Sequence, residues 1–222
     1  MSAQVEMLAG LPFLDQLPQD ELLRIAPFVR KLSLSPDQVA VLEGEPCRAV
    51  YFPVRGLLCA KRVSLLGREQ VLAYIGPGGC FNLVPALDGG QNMATVYAVT
   101  ASLVYAVPCD ELRRMVAEHG EIALAVSEHL AAEVRRLSDM VESLALHTVR
   151  ARLARFLLDS VDGGTTGYRW TQEAIAAEIG TVREMVGRSL RAFADAGWVR
   201  RERRRLLVLD REALEREAGT TS

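Results

Sequence analysis

Residues 171–199 read TQEAIAAEIGTVREMVGRSLRAFADAGWV, and their reading decides the fold of the C-terminal third of the chain. Ile175, Ile179, Val182, Met185, Val186, Leu190 and Phe193 recur at helical spacing. The stretch therefore predicts two short helices, each with one apolar face to press against the other. Gly180 marks the break between them, as the residue best able to end a helix in a left-handed turn. Thr181 followed three residues later by Glu184 is a capping-box pattern that opens the second helix. Helix, tight glycine turn and helix is the arrangement that lays its second member in a DNA major groove.

The face of the second helix left free by this packing carries Arg183, Glu184 and Arg188. Phosphate attraction alone would select cations and no carboxylate. An arginine can donate in bidentate fashion to guanine O6 and N7, and a glutamate can accept from cytosine N4. Glu184 and Arg188 stand at i, i+4 and face each other, which can hold both side chains in a readable pose. The plainer alternative is a solvated helix with one surface ion pair. Ala176, Gly180 and Thr181 together favour DNA reading. Thr171 and Thr181, at the two helix starts, complete the candidate DNA contacts within the motif.

With these residues in place, the stretch resembles the helix-turn-helix of the CRP/FNR (cyclic-AMP receptor protein-like) family of bacterial transcription regulators. RE-x-VGR over residues 183–188 is similar to the recognition helix of the cyclic-AMP branch, whereas the oxygen-sensing branch has Ser where Gly187 stands here. The resemblance implies that Arg183, Glu184 and Arg188 contact bases in a palindromic TGTGA-like site.

A chain of 222 residues, half of them hydrophobic, suits one large domain or two small ones. Its net charge of −2 does not announce a nucleic-acid binder. The charge is unevenly spread: residues 150–222 hold 14 Arg against 11 acids, a balance of +3, which leaves −5 on residues 1–149. This asymmetry agrees with a local DNA footprint at the C-terminal end. No stretch approaches the roughly twenty continuous apolar residues of a membrane span, and MSAQVEMLAG lacks the basic-then-apolar pattern of a signal peptide. A cytoplasmic protein without a membrane partner is expected.

Residues 11–28 predict a helical lead-in, with Leu17, Leu22, Leu23 and Ile25 apolar and Pro18 early. From Lys31 to Val107 the texture changes to short β-branched and aromatic runs, with turn signals at Pro36-Asp37, Gly44, Gly56, Gly67 and Gly76-Pro77-Gly78-Gly79. Such spacing predicts a closed or double-layered β unit. GEPCRAVYFPVRGLL and then GREQVLAYIGPGGCF resemble, in order and spacing, the family's cyclic-nucleotide-binding-like β-roll, a jelly roll. A cupin-type metal site would need histidines on strands, and His119, His129 and His147 all fall outside the roll. No metal site is expected.

The family's nucleotide pocket uses a Gly-Glu pair for the ribose and, further on, an Arg-Ser or Arg-Thr pair for the cyclic phosphate. Matching on Gly90-Gln91 puts Asn82-Leu83 and Met93-Ala94 at those places. A buried phosphate without its cation is poorly compensated, so control by cyclic AMP is not expected, nor is any cofactor. Phe81, Asn82, Leu83, Met93 and Ala94 form the candidate effector pocket. Filled core, an apolar effector and haem all stay open there, with Cys80 as the available axial ligand and no histidine nearby in sequence. A haem- or redox-sensing regulator is thus the second reading. Cys47, Cys59, Cys80 and Cys109 contain no CxxC pair and are expected as buried free thiols.

Residues 118–148 contain no Pro and a single Gly, at 120. Leu130, Leu137 and Leu144 recur every seven residues with Val134 and Val141 between them. Val at a with Leu at d favours a parallel two-stranded coiled coil, so these five form the candidate dimer interface, and the resemblance places the family's interface on this same helix. Next, TVRARLARFLLDSV predicts a supporting helix, residues 162–167 a turn, and WVRRERRRLLVLD a two-stranded wing. Arg203 and Arg204, near the bend of the wing, are candidate phosphate contacts. Asp210 is expected to cap a last helix, REALEREA.

The expectation is an α+β homodimer: a β-roll sensor over residues 1–117, a long dimerisation helix over 118–147, and a winged helix-turn-helix over 148–222. Its partners are double-stranded DNA and a second copy of itself, and the resemblance adds RNA polymerase. No nucleophile–base pairing is legible, so no enzymatic activity is expected.

Overall fold

The computed structural model describes residues 3–162, 171–202 and 205–219. The chain divides into two compact units, residues 1–62 with 72–134, and residues 63–71 with 135–222.

The first unit is a two-layered β-roll. One sheet has the order β1 (Arg30–Leu34), β7 (Ser102–Pro108), β3 (Ala49–Arg55), and the other β2 (Val39–Val41), β6 (Thr95–Ala98), β4 (Leu58–Val63), β5 (Glu69–Ile75). In the three-stranded sheet β3 and β7 are largely buried while β1 is mostly exposed, and the period of two sorts the side chains. Val50, Phe52, Tyr105 and Val107 enter one core, while Tyr51 and Val104 turn to the other, between the sheets, with Leu58, Val96 and Ala98. On the helical side lie α1 (Ala3–Leu8), α2 (Gln19–Ile25), α3 (Leu83–Asp88), α4 (Cys109–Glu118) and the first turns of α5 (Gly120–Leu146).

The helical lead-in is more broken than the pattern of residues 11–28 suggests. A 3-10 turn at Leu14–Gln16 precedes α2, and another at Ala26–Phe28 follows it. Pro18 stands as the N-cap of α2, and Pro27 opens the second 3-10 turn, as expected for a residue tolerated only at a helix start. Leu17, Leu22 and Ile25 are buried, but Leu23 is exposed. Arg114 of α4 binds Glu111 at 3.1 Å and Glu118 at 2.6 Å on its own helix, and reaches Glu21 of α2 at 3.1 Å.

The second unit holds α6 (Val149–Asp162), α7 (Gln172–Ile179), α8 (Arg183–Asp195), β8 (Val199–Glu202), β9 (Arg205–Val208) and α9 (Arg211–Ala218). Leu153, Leu157, Ile175, Ile179, Val186, Phe193 and Leu214 meet in its core. Arg150 ties α6 to α9 through a two-pronged bond to Glu217, at 2.8 and 3.0 Å. Its guanidinium also lies over the rings of Phe193 and Trp198. Asp210 caps α9, its carboxylate accepting from the Ala213 N–H at 2.9 Å. Strands β8 and β9 pair antiparallel as a wing. Arg203 and Arg204, the expected wing contacts, lie outside the described residues, as does the expected turn after Asp162.

Helix α5 contributes to both units. Leu130 packs partly onto the helical core of the first unit. Further along, Val134 and Val141 are each 65% exposed, Leu137 40% and Leu144 39%. The heptad seam is therefore largely uncovered within one chain.

Candidate nucleic-acid interface

Helix α7 starts at a Thr171 cap, whose hydroxyl accepts from the Ala174 N–H at 3.0 Å. It ends at Gly180, which takes a left-handed φ of 67°. The Gly180 and Thr181 N–H groups both return to the Ala176 carbonyl, closing the last turn. The capping box expected of Thr181 and Glu184 does not form. Val182 is the N-cap of α8 and no side chain caps it. The Thr181 N–H is already used to close α7, so the second helix starts one residue later than the motif suggests, and Val182 is left exposed instead of joining the apolar face.

One face of α8 is buried through Val186, Ser189 and Phe193. Arg183, Glu184 and Arg188 project from its exposed side, with Arg191. The Arg188 Nη2 donates to the Glu184 Oε1 at 2.9 Å, as the i, i+4 spacing predicts. Arg183 has a partner the pattern did not reveal, Glu173 of α7, with Nε to Oε1 at 3.0 Å. Exposed ion pairs are worth about 0–1 kcal/mol, so both can be exchanged for base edges at low cost. Gln172 is another residue the apolar pattern misses. A β-carbon on Gly187 would stand 3.2 Å from its Oε1, so the first turn of α7 lies directly against the middle of α8. Thr171 is exposed and Thr181 half-buried.

The candidate effector residues divide between two cores. Phe81 stacks on Tyr51 with ring centroids 4.7 Å apart, and it lies with Ala94 in the core between the sheets. Leu83 belongs to the helical core, and Met93 is exposed. The Asn82 Nδ2 donates to the Asn92 Oδ1 at 2.8 Å, and the buried Asn92 donates in turn to the Leu42 carbonyl at 2.9 Å. The chain thus closes this segment on itself. No basic side chain stands at residues 82, 83, 93 or 94, so these residues do not fit a cyclic phosphate.

No histidine lies near Cys80 in sequence, but the fold brings one to it. His129 of α5 brings its Nε2 to 3.6 Å from the Cys80 Sγ, and Phe13 packs edge-on against the imidazole. Metal bonds from sulfur and imidazole are about 2.3 and 2.0 Å long, which sets the two atoms roughly 3.5 Å apart around a tetrahedral ion but about 4.3 Å apart as ligands on opposite faces of a porphyrin. As packed, the pair does not fit haem. All four cysteines are free thiols, and Cys47 and Cys109 meet at 3.6 Å between sulfurs. Burial pushes the Cys47 and Cys80 thiols up to about 12, aided at Cys47 by its bond to Cys109 and at Cys80 by the Glu133 charge. Such thiols are poor nucleophiles at neutral pH. Among the described residues, Glu21, Glu118 and His119 are the grouping with metal-ligand chemistry. The Arg114 guanidinium already binds both of those carboxylates.

Two family models match the chain: the cyclic nucleotide-binding domain over residues 31–119 and the Crp-like helix-turn-helix domain over residues 151–217. The CRP-like cAMP-activated global transcriptional regulator of Mycobacterium tuberculosis is 31% identical over 184 residues, covering 79% of this chain and 82% of that protein. The transcriptional regulator LdrP of Thermus thermophilus is 31% identical over 186 residues, covering 81% and 92%. Among solved structures, a transcriptional regulator of the CRP/FNR family from Eubacterium rectale superposes with a TM-score of 0.82 at 21% identity, covering 94% of this chain and 98% of that one. A nucleotide-binding-type β-roll, a long helix and a helix-turn-helix in this order, with relatives at this identity and coverage, place the chain in the CRP/FNR family of transcription regulators.

Proposed function

We propose that the protein is a cytoplasmic homodimer that reads a palindromic TGTGA-like DNA site, is not controlled by cyclic AMP, and has no enzymatic activity. The observation that carries this reading is the division of α8. Val186, Ser189 and Phe193 anchor one side, while Arg183, Glu184 and Arg188 stand exposed on the other. That is the geometry of a helix held by its back and presented to a groove. In the duplex, each arginine exchanges its glutamate for guanine O6 and N7, and Glu184 accepts from cytosine N4. Thr171 and Thr181 flank these contacts, and Arg203 and Arg204 supply phosphate contacts that strengthen binding without choosing sequence.

Dimerisation follows from the uncovered Val134, Leu137, Val141 and Leu144, since apolar residues at heptad spacing gain most by packing on a second copy. Two reading heads one helical turn apart then match an inverted repeat. RNA polymerase is the further partner that membership of the family suggests. Cyclic AMP activates the mycobacterial relative by its name. Met93 and Ala94, standing where a phosphate-binding Arg-Ser would stand, argue against the same control here.

Selection of bound fragments from random duplex DNA, with and without cyclic AMP, tests the whole reading. It should return an inverted repeat with a guanine-containing half-site, identical in both arms. Fragments without symmetry, or a site that appears only with the nucleotide, would overturn it.

A further inference from the structure

Arg152 of α6 holds three backbone carbonyls at once. Its Nε donates to the Ile179 carbonyl at 2.8 Å, its Nη2 to the Gly180 carbonyl at 3.4 Å, and its Nη1 to the His147 carbonyl at 2.8 Å. Ile179 and Gly180 end α7, and His147 follows the last residue of α5. These are the carbonyls a helix terminus leaves without an intrahelical partner, at the negative end of its dipole. Among the described residues Arg152 pairs with no carboxylate, and burial holds its pKa below the usual arginine value. A half-buried cation that binds only main chain has a structural target, and the target here is the junction of two helix ends.

The place of that junction matters. Gly180 is the turn of the helix-turn-helix, and Arg183 lies three residues beyond it. His147 is the joint between the long helix and the reading head. One planar guanidinium therefore fixes the end of α5 and the turn that aims α8. We infer that Arg152 is a positioning residue: it locks the end of the long helix to the helix-turn-helix turn and so sets the spacing at which two reading heads meet DNA.

The inference rests on the dimeric DNA-reading function proposed above. Lysine in this place keeps the charge but not the fork, since an ammonium cannot span three carbonyls in one plane. The test uses the full-length protein and duplexes carrying the selected half-site in inverted pairs, with centre-to-centre separation stepped by single base pairs around one helical turn. Arg152→Lys should lose about tenfold or more of its preference for the best-spaced site over random duplex, and its spacing optimum should broaden. Its affinity for random duplex and its salt slope should stay within about twofold of the parent, because the phosphate contacts are untouched. Arg152→Gln, with fewer donors, should behave alike and serves if the lysine variant does not fold.

A variant that keeps the parental spacing optimum and preference overturns the inference alone. Equal losses on specific and random DNA also overturn it, since they would mark a general fold defect. A parent protein that shows no preferred site overturns the function it rests on, and this inference with it.

Discussion

Gly180, at the turn before α8, presses so closely on Leu144 of α5 that a β-carbon on the glycine would stand 2.5 Å from the Leu144 Cδ2, and as near the Gln70 Oε1. The end of the long helix and the turn of the reading motif are in direct contact, and a side chain on the glycine would have to push aside the ends of Leu144 and Gln70. The same glycine has φ of 67°, where an L side chain costs roughly 1–2 kcal/mol.

Gly180→Ala should therefore destabilise the protein by about 2 kcal/mol or more, measured by urea unfolding. Gly180→Asn separates the two causes, because asparagine tolerates the left-handed region but still carries the β-carbon. It should recover part of the alanine loss, the remainder being the displacement of the Leu144 and Gln70 side-chain ends. An asparagine variant as stable as the parent would mean that Leu144 and Gln70 move aside at no cost and that the left-handed backbone is the whole penalty.

Glu178, on the last turn of α7, predicts a pH dependence. Burial raises its carboxyl to about 7, against a smaller lowering by Arg136 of α5, and its Oε2 is enclosed without a hydrogen-bond partner. The raised folded-state value means that the native protein holds this proton more tightly than the unfolded chain does. Stability from this group is then fully present below the ordinary glutamate range. It falls as pH rises through the interval up to about 7 and levels off above it. The drop is on the order of 2–3 kcal/mol. Denaturant unfolding of Glu178→Gln between pH 5 and pH 8 should show a flatter profile than the parent. Parallel profiles would show that the carboxyl ionises freely in the fold.

The proposed dimer seam gives a third prediction. Leu137→Lys places a charge at a d position between Val134 and Val141, and should convert the dimer to monomer in light scattering at micromolar concentration. Helical content by circular dichroism should change little, because Leu137 is already 40% exposed in the single chain. A variant that remains dimeric would move the interface off this helix.

Much of this architecture is legible in the residues. Ile175, Ile179, Val186 and Phe193 carry a period that only a packed helix pair satisfies, and all four are buried. The Glu184–Arg188 pair follows from its spacing. What escaped are contacts between elements remote in sequence. His129 meets Cys80 across 49 residues, Arg152 reaches Ile179 across 27, and Cys47 meets Cys109 across 62. No local pattern encodes such meetings. The Thr181 capping box failed for a different reason: two helix ends competed for one N–H, and closure of α7 took it. The division of the candidate pocket residues was not legible either, because residues close in sequence alternate between two cores. Phe81 falls in one and Leu83 in the other.

The claim that α8 reads bases is tested most directly by Arg188→Ala. Affinity of parent and variant should be measured on the selected site, on the same site with each guanine replaced in turn, and on random duplex. The variant should lose about 1–3 kcal/mol on the selected site, become indifferent to replacement of one guanine, and bind random duplex nearly as before. Equal losses on selected and random DNA would contradict base reading by this helix and leave Arg188 as a phosphate contact only.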